Sequence, residues 1–240
     1  MRSWLGLGSL PLSQEWNKAH LINHFSEVRG YRHYLELCTF STGRRYAEID
    51  RTQLQTCSRL MYRCPDGFDD GLPTDYRSNT LDIGESLKKI SDEDRRFDIA
   101  LVDSWHEYET SWRDLLEGFR LIREGGTLVV HDCLPPRSEI AVPNYIQGEW
   151  CGVSYQAYLD FISERHDLAV YTVDTDYGCG VIRKLADPSP ESATAAGAEL
   201  LGDWRSKRDD PMEAFAFFQA HKQVLLNLIT TDEFFVRERS

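Results

Sequence analysis

The sequence predicts an α/β fold with a mostly parallel, twisted sheet and helices on both faces. The first observation is a strand–helix–strand unit over residues 97–133, in which two short apolar runs flank an amphipathic stretch. Such units join parallel strands that are buried on both faces. The second observation is a pair of apolar runs at 168–173 and 179–184 around the turn-forming segment 174–178. This pattern predicts a C-terminal antiparallel hairpin.

The N-terminal part supplies the elements before this unit. A helix capped by Ser13 is expected to end at Gly30, since glycine readily adopts the left-handed conformation that closes a helix. Alternating apolar residues predict a first strand over 33–38, followed by a tight loop over 39–43. The next predicted elements are a helix over 44–54, a strand over 59–64, a loop over 65–75, a strand over 75–81 and a helix around 87–90.

Both predicted strands of the central unit end in a carboxylate. One leads to Asp103 and the other to Asp132, and Gly125-Gly126 is expected to end the helix between them. Ligands of open α/β sheets bind at the carboxyl ends of the strands, so a site is expected there. A proline-containing loop over 134–150 and a helix over 155–162 follow.

The C-terminal part is predicted to be a linker over 187–197 and an amphipathic helix over 211–229. Its apolar side chains need burial, either on the sheet domain or on a second subunit, which predicts a homo-oligomer as one alternative. The predicted organisation is an N-terminal arm and helix (1–30), a main domain (31–186), and a linker with a helical tail (187–240).

Composition excludes several partners. The net charge of −12 disfavours binding to nucleic acid or to anionic membranes. The six cysteines contain no CxxC pair, which argues against a zinc site or a disulfide framework and suits a reducing cytoplasm. We expect neither a signal peptide nor a membrane span, because no apolar run is long enough.

Four sequence motifs carry a resemblance to a known family. They are Glu36 in the first strand, the small-residue loop ending in Gly43, Asp103-Ser-Trp-His106-Glu-Tyr108 after the fourth strand, and Gly125-Gly126 before the strand that ends in Asp132. Over residues 34–182 the chain resembles class I S-adenosylmethionine-dependent methyltransferases, and more narrowly the metal-dependent O-methyltransferases that include macrolide-sugar methyltransferases. The resemblance implies a Rossmann-like methyltransferase fold and methyl transfer to a small hydroxylated acceptor, such as a sugar of a glycoconjugate or a natural product.

The resemblance also implies where S-adenosylmethionine would bind. Glu36 would hold the amino group of the methionine moiety, and Gly43 would let the backbone approach the cofactor. The first loop departs from the family because it has one glycine, so Thr39 and Ser41 would bind the methionine end in place of glycines.

Acidic residues further along the chain would bind the nucleoside. Asp66 would accept hydrogen bonds from the ribose hydroxyls, with Asp50 as the alternative and a turn role for Asp66 as another. Asp82 would lie near the adenine.

A divalent cation is predicted between the two central strand ends. Adjacent strands lie about 4.8 Å apart, so Asp103 and Asp132 can reach one ion, and oxygen ligands suit magnesium, manganese or calcium better than zinc. His131 is a third candidate ligand; as a neutral imidazole it adds no negative charge, which favours manganese or iron over magnesium. The alternative is that Asp132 only caps a turn.

His106 is the candidate general base, three residues beyond Asp103. The nearby aromatic residues either pack as core and lid or stack on a sugar or aromatic ring; they are Trp105, Tyr108, Trp112, Tyr145 and Trp150. Asp174 and Asp176 in the hairpin are expected to be solvated turn residues.

Two other classes of function compete with this prediction. A degenerate methyltransferase-like scaffold without catalysis would explain the glycine-poor first loop. A nucleotide-dependent oxidoreductase is the weaker alternative, because the chain has no Gly-x-Gly-x-x-Gly loop after a predicted strand.

Overall fold

The computed structural model describes residues 16–163, 165, 167–185 and 195–239. The strands are β1 (His33–Thr39), β2 (Thr56–Tyr62), β3 (Tyr76–Arg77), β4 (Phe97–Asp103), β5 (Ile122–Val130), β6 (Leu168–Val173), β7 (Cys179–Lys184) and β8 (Leu228–Ile229). The α-helices are α1 (Lys18–Arg29), α2 (Gly84–Asp92), α3 (Tyr108–Leu121), α4 (Ser154–Ser163), α5 (Ala195–Lys207), α6 (Pro211–Leu225) and α7 (Thr231–Arg239).

The strands form one sheet in the order β3-β2-β1-β4-β5-β7-β6-β8. Strands β1 to β5 are parallel, β7 is antiparallel to both β5 and β6, and β8 is parallel to β6. The predicted fold class, a mostly parallel sheet with an antiparallel hairpin, is therefore confirmed. Successive strands are added on one side of β1 up to β3 and on its other side from β4 onward, so the strand order switches between β1 and β4. Such a switch point opens a crevice at the carboxyl ends of the strands.

Strand β4 shows why the central apolar run is continuous. All seven of its residues are buried. Ile99 and Leu101 face the side covered by α1, whereas Ala100 and Val102 face the side covered by α3. A strand covered on both faces needs apolar residues at every position rather than at alternate ones.

Two predicted elements of the N-terminal half differ in the structure. The helix expected over 44–54 is instead two 3-10 turns, Gly43–Glu48 and Arg51–Gln53. Ile49 and the following Asp50 have extended backbones, and the Asp50 carboxylate accepts a hydrogen bond from the Thr52 amide, which starts a new turn. Helix α1 is capped by Asn17; Ser13 lies outside the described residues.

Gly125-Gly126 was predicted to end α3, but both glycines lie within β5 and the helix ends at Leu121. A Cβ on Gly126 would lie 2.7 Å from the backbone oxygen of Asp98. The glycine therefore permits close approach of β5 to β4 instead of closing a helix.

The helix predicted over 211–229 ends at Leu225, because Asn227 adopts a positive φ of 44° and the chain then adds β8 to the sheet. The ring of Phe218 in α6 lies 4.7 Å from that of Tyr155 in α4, so this helix packs on the sheet domain. The boundaries predicted at 30/31 and 186/187 stay predictions, although α1, α6 and α7 all contribute to the sheet's two cores.

Helices α1 and α7 lie together on one face of the sheet. Their Phe25 and Phe234 rings meet at 5.3 Å, and Arg29 Nε donates to Glu238 Oε2 at 2.8 Å. The other oxygen of Glu238 accepts from the Tyr171 hydroxyl on β6 at 2.6 Å. Among the described residues, no helix has the length and apolar character needed to cross a membrane.

Candidate active site

The candidate active site lies at the carboxyl ends of β1, β4 and β5. The loop after β1 is tied to the end of β4, because the Thr42 hydroxyl donates to the backbone oxygen of Asp103 at 2.7 Å. A cavity of about 310 Å³ opens there. Its polar lining includes Lys18, Asp103, His106, His131, Asp132 and Asp176.

The structure brings together the three residues predicted to bind a metal. Ligand atoms of Asp103, His131 and Asp132 all lie within 4.8 Å of one another, and all three residues are buried. His131 Nδ1 is 2.9 Å from Asp132 Oδ2 and 3.4 Å from Asp103 Oδ1. The residue types and their spacing match the ligand set of a divalent cation.

A lysine that the sequence analysis did not identify lies in the same cluster. Lys18 Nζ is 2.6 Å from Asp103 Oδ2 and 3.4 Å from His131 Nδ1, and the side chain is 8% exposed. An ammonium group so close to a ligand carboxylate repels a second cation. With Lys18 in this place the cluster does not fit a divalent cation.

Asp176 also belongs to this cluster. It was expected to be a solvated turn residue, but its carboxylate accepts the Lys18 backbone amide at 3.0 Å and lies 3.3 Å from His131 Nε2. Burial alone would raise its pKa, but His131 and Lys18 bring the pKa of Asp176 down to about 2. The hairpin between β6 and β7 therefore adds a third carboxylate to the site.

The cluster is a buried network of opposite charges. Burial opposes ionisation of Asp103, yet Lys18 and His131 hold the pKa of this carboxyl well below its usual range. Burial likewise opposes protonation of His131, but Asp132 and Asp103 raise its pKa well above the ordinary value. Each charge is thus maintained by its neighbours rather than by water.

His106 faces this network from the turn before α3. Its Nδ1 is 2.6 Å from the backbone oxygen of Trp150, and its Nε2 is 3.0 Å from Asp132 Oδ2. A carbonyl only accepts hydrogen bonds, so Nδ1 carries a proton and Nε2 is the nitrogen directed at the carboxylates. Burial opposes protonation, but Asp132 and Asp103 raise the pKa of His106.

Two of the predicted cofactor-binding residues, Glu36 and Gly43, lie next to each other. Glu36 is 1% exposed in the middle of β1, and its carboxylate accepts the Tyr34 hydroxyl at 2.7 Å. A Cβ on Gly43 would lie 3.3 Å from Glu36 Oε1 and 2.6 Å from Cys38 Sγ, so only glycine lets the loop cover this carboxylate. Burial without a cationic partner in hydrogen-bond contact raises the pKa of Glu36 to about 7.

The hydroxyl residues of the loop have different roles. Thr39 is buried, and its hydroxyl contacts those of Ser41 at 2.9 Å and Thr42 at 3.0 Å, which closes the loop on itself. Ser41 and Thr42 line the cavity that also contains His106. Of the two predicted hydroxyls, only that of Ser41 therefore belongs to a residue that lines this cavity.

Asp66 and Asp82, predicted for the nucleoside, line a second cavity of about 490 Å³ beyond the ends of β2 and β3. The Asp82 carboxylate also accepts the Gly84 amide at 2.8 Å. Asp50, the alternative ribose ligand, is outside the lining of this cavity and caps a 3-10 turn.

Three of the aromatic residues form one wall of a larger cavity of about 730 Å³; they are Trp105, Tyr145 and Trp150. The Arg63 guanidinium lies 3.4 Å above the Trp105 ring. No sequence motif predicts this contact. Tyr108 and Trp112 stack on each other instead, with ring centroids 6.3 Å apart, and neither lines this cavity.

The strand order, in which β7 runs antiparallel between β5 and β6, is that of the Rossmann-like methyltransferase fold. The chain belongs to the methyltransferase domain family, whose sequence model matches residues 4–133, more than half of the chain. No match is found among curated protein sequences.

Two solved structures are similar to this chain, and the first of them has the same fold. The O-methyltransferase from Bacillus cereus in complex with S-adenosylhomocysteine aligns with a TM-score of 0.50 at 14% identity, over 70% of this chain and 80% of that chain. TomG from Streptomyces achromogenes is an O-methyltransferase involved in tomaymycin synthesis and was solved with S-adenosylmethionine. It aligns with a TM-score of 0.47 at 12% identity, over 70% of this chain and 80% of that chain.

Proposed function

We propose that this enzyme transfers a methyl group to a hydroxyl of a small acceptor and that His106 is the general base. The observation that supports this most is the position of His106. Its Nε2 faces Asp132 at 3.0 Å in a cavity at the strand ends, while its Nδ1 is bonded to the backbone. A base needs one nitrogen held and the other free to exchange a proton with the substrate.

S-adenosylmethionine fits the residues around the first loop. The carboxylate of Glu36 is buried beside the glycine that permits close backbone approach. We propose that Glu36 binds the ammonium group of the methionine moiety, that Gly43, Thr39 and Ser41 form the loop over it, and that Asp66 and Asp82 bind the nucleoside. When bound, the cofactor supplies an electrophilic methyl group on a sulfonium.

The chain's own residues would then perform the remaining chemistry. His106 Nε2 would take the proton of the acceptor hydroxyl, so that this oxygen could accept the methyl group that the cofactor would supply, with S-adenosylhomocysteine as the leaving group. Asp132 stabilises the imidazolium that forms, since it lies within hydrogen-bond distance of the same nitrogen. Positioning by the rigid strand ends supplies much of the rate enhancement.

The acceptor would enter through the aromatic-lined cavity. Trp105, Tyr145 and Trp150 can stack on a sugar or an aromatic ring, and the cavity also contains His106. An acceptor that presents a planar or sugar ring with a free hydroxyl fits this lining.

The divalent cation stays a prediction. Asp103, Asp132 and His131 supply suitable ligand types for magnesium or manganese, whereas Lys18 argues against occupancy. Activity that disappears in EDTA and returns with either ion would establish metal dependence.

The test of the proposed function is binding followed by turnover. S-adenosylhomocysteine should raise the melting temperature by mass action, and Gly43→Val should abolish the shift while Gly202→Val, in open space on α5, should retain it. Binding without methyl transfer to any member of a hydroxylated-acceptor library would favour the catalytically inactive scaffold. No binding at millimolar ligand to folded protein would refute the cofactor assignment.

A further inference from the structure

We propose that the Lys18 ammonium is the resident cation of the active-site carboxylate cluster and takes the place of a divalent metal ion. The inference rests on the proposed function only in treating this cluster as the centre of catalysis. It makes the enzyme independent of metal, and it makes Lys18 the residue that prevents a metal from binding.

The position of Lys18 is fixed by its backbone as well as by its side chain. The Asn17 side chain caps α1, and the Lys18 amide donates to Asp176 at 3.0 Å. The next turn of the helix is anchored by Ile22, which is fully buried against the sheet. Because the helix cannot rotate without exposing that face, the side chain is directed into the cluster.

Charge explains why lysine and metal exclude each other. A divalent ion bound to Asp103 would lie about 2.1 Å from its oxygen. The Lys18 nitrogen already lies 2.6 Å from Oδ2 of the same carboxylate. Ammonium and metal would then be neighbours in a buried site, where the repulsion between like charges is poorly screened. One of the two must leave, and the covalently attached ammonium has no translational entropy to lose on binding.

The ammonium can also perform the electrostatic role of a metal. It has three N–H donors and lies 2.6 Å from Asp103 Oδ2. It lines the same cavity as His106, so a remaining donor can reach the acceptor oxygen as its proton passes to Nε2. The positive charge stabilises the oxygen as negative charge develops on it, while the methyl group forms the new C–O bond and the sulfide leaves.

The test is a Mn²⁺ titration of the full chain followed by electron paramagnetic resonance, which needs neither cofactor nor acceptor. Wild type should show no specific Mn²⁺ site, and Lys18→Ala should create one with affinity at least about tenfold above background. Adding Asp103→Asn to Lys18→Ala should remove the new site. Lys88→Ala is the matched control, because that lysine is exposed and pairs with Asp92 on its own helix, and it should leave Mn²⁺ binding unchanged.

Lys18→Met provides a second variant that retains the side-chain length, should the alanine variant fold poorly. Micromolar Mn²⁺ binding to wild type that Asp103→Asn abolishes would overturn the proposal, as would folded Lys18 variants that bind no Mn²⁺. Because S-adenosylhomocysteine binding is measured separately, failure of this proposal is distinguishable from failure of the proposed function.

Discussion

The Nδ1 atom of His106 lies 2.6 Å from the backbone oxygen of Trp150, a residue 44 positions further along the chain. A backbone hydrogen bond joins the same two segments, since Val153 N donates to the oxygen of His106 at 2.9 Å. The segment from Trp150 to Val153 therefore fixes both the tautomer and the position of the proposed base. Catalysis should depend on this segment although it contributes no charged group to the proton transfer.

His106→Ala should lower turnover by about 10²–10⁴-fold, because that is the usual cost of removing a general base. S-adenosylhomocysteine binding should persist, since Glu36 and the loop after β1 are unchanged. Radiolabelled methyl transfer and calorimetry would measure the two effects. His221→Ala on α6, remote from the cluster, is the control. Unchanged turnover in His106→Ala would assign deprotonation to another group.

Gly152→Ala should destabilise the protein and misplace His106. Gly152 has a φ of 57°, and a Cβ there would lie 2.1 Å from the His106 backbone oxygen. We expect a loss of about 2–4 kcal/mol in the free energy of unfolding from strain and overlap together. Urea denaturation followed by fluorescence measures it.

Gly71→Ala separates the two causes. Gly71 also has a positive φ, of 73°, but a Cβ there meets nothing within 4 Å, and the residue lies outside the lining of both active-site cavities. Its substitution should therefore show the backbone strain without the steric overlap, and turnover should remain near wild type. Equal losses of stability in both variants would show that contact with His106 is unimportant.

The affinity for S-adenosylhomocysteine should rise with pH through about 7. Burial raises the pKa of Glu36 to about 7, and only the ionised carboxylate attracts the ligand's ammonium group. Below that pH each unit should cost up to about tenfold in affinity, because binding must release one proton. Calorimetry at several pH values measures this slope.

Glu36→Gln is the control for this assignment, because an amide does not titrate. The variant should bind more weakly at pH 8 and lose most of the slope. In the free protein, wild-type stability relative to the variant should fall as pH rises from about 4.5 to about 7, since the unfolded chain releases the Glu36 proton first. A slope that persists in the variant would assign it to another group.

Phe218→Ala should cost about 3–5 kcal/mol of stability, since it empties a fully buried ring site against Tyr155. Met212→Ala on the same helix is the control, because its side chain is 73% exposed. Thermal denaturation measures the effect.

Light scattering on the same samples tests the predicted homo-oligomer. This prediction requires that the measured mass of the wild-type protein exceed the mass of one chain.

The proximity of Asp103 and Asp132 could be predicted from the sequence, because both follow strands with strong apolar patterns. Asp103 ends β4 and Asp132 lies two residues beyond its parallel neighbour β5, so their proximity follows from topology. Lys18 could not be assigned this way, because its contact with Asp103 spans 85 positions and belongs to no motif. One signal was present: it precedes Ile22 by four and Phe25 by seven, which places a lysine on the buried face of α1.

The weaker parts of the fold prediction concern short elements governed by tertiary contacts. Strands β3 and β8 have two residues each, too few for a periodic pattern. Gly126 resembles a helix end in sequence, but its role depends on the backbone of Asp98, which lies on another strand. Local propensity cannot distinguish a glycine that closes a helix from one that permits two strands to approach.

The pairing of α1 with α7 has a consequence for biosynthesis. Lys18 lies on a helix that also packs against Phe234 and Glu238, which the ribosome adds long after Lys18 itself. A nascent chain can form the central sheet before then, yet its N-terminal helix still lacks the contacts that α7 supplies. The active site should therefore mature only after translation of α7, and proteolytic removal of that helix should inactivate an enzyme whose sheet remains folded.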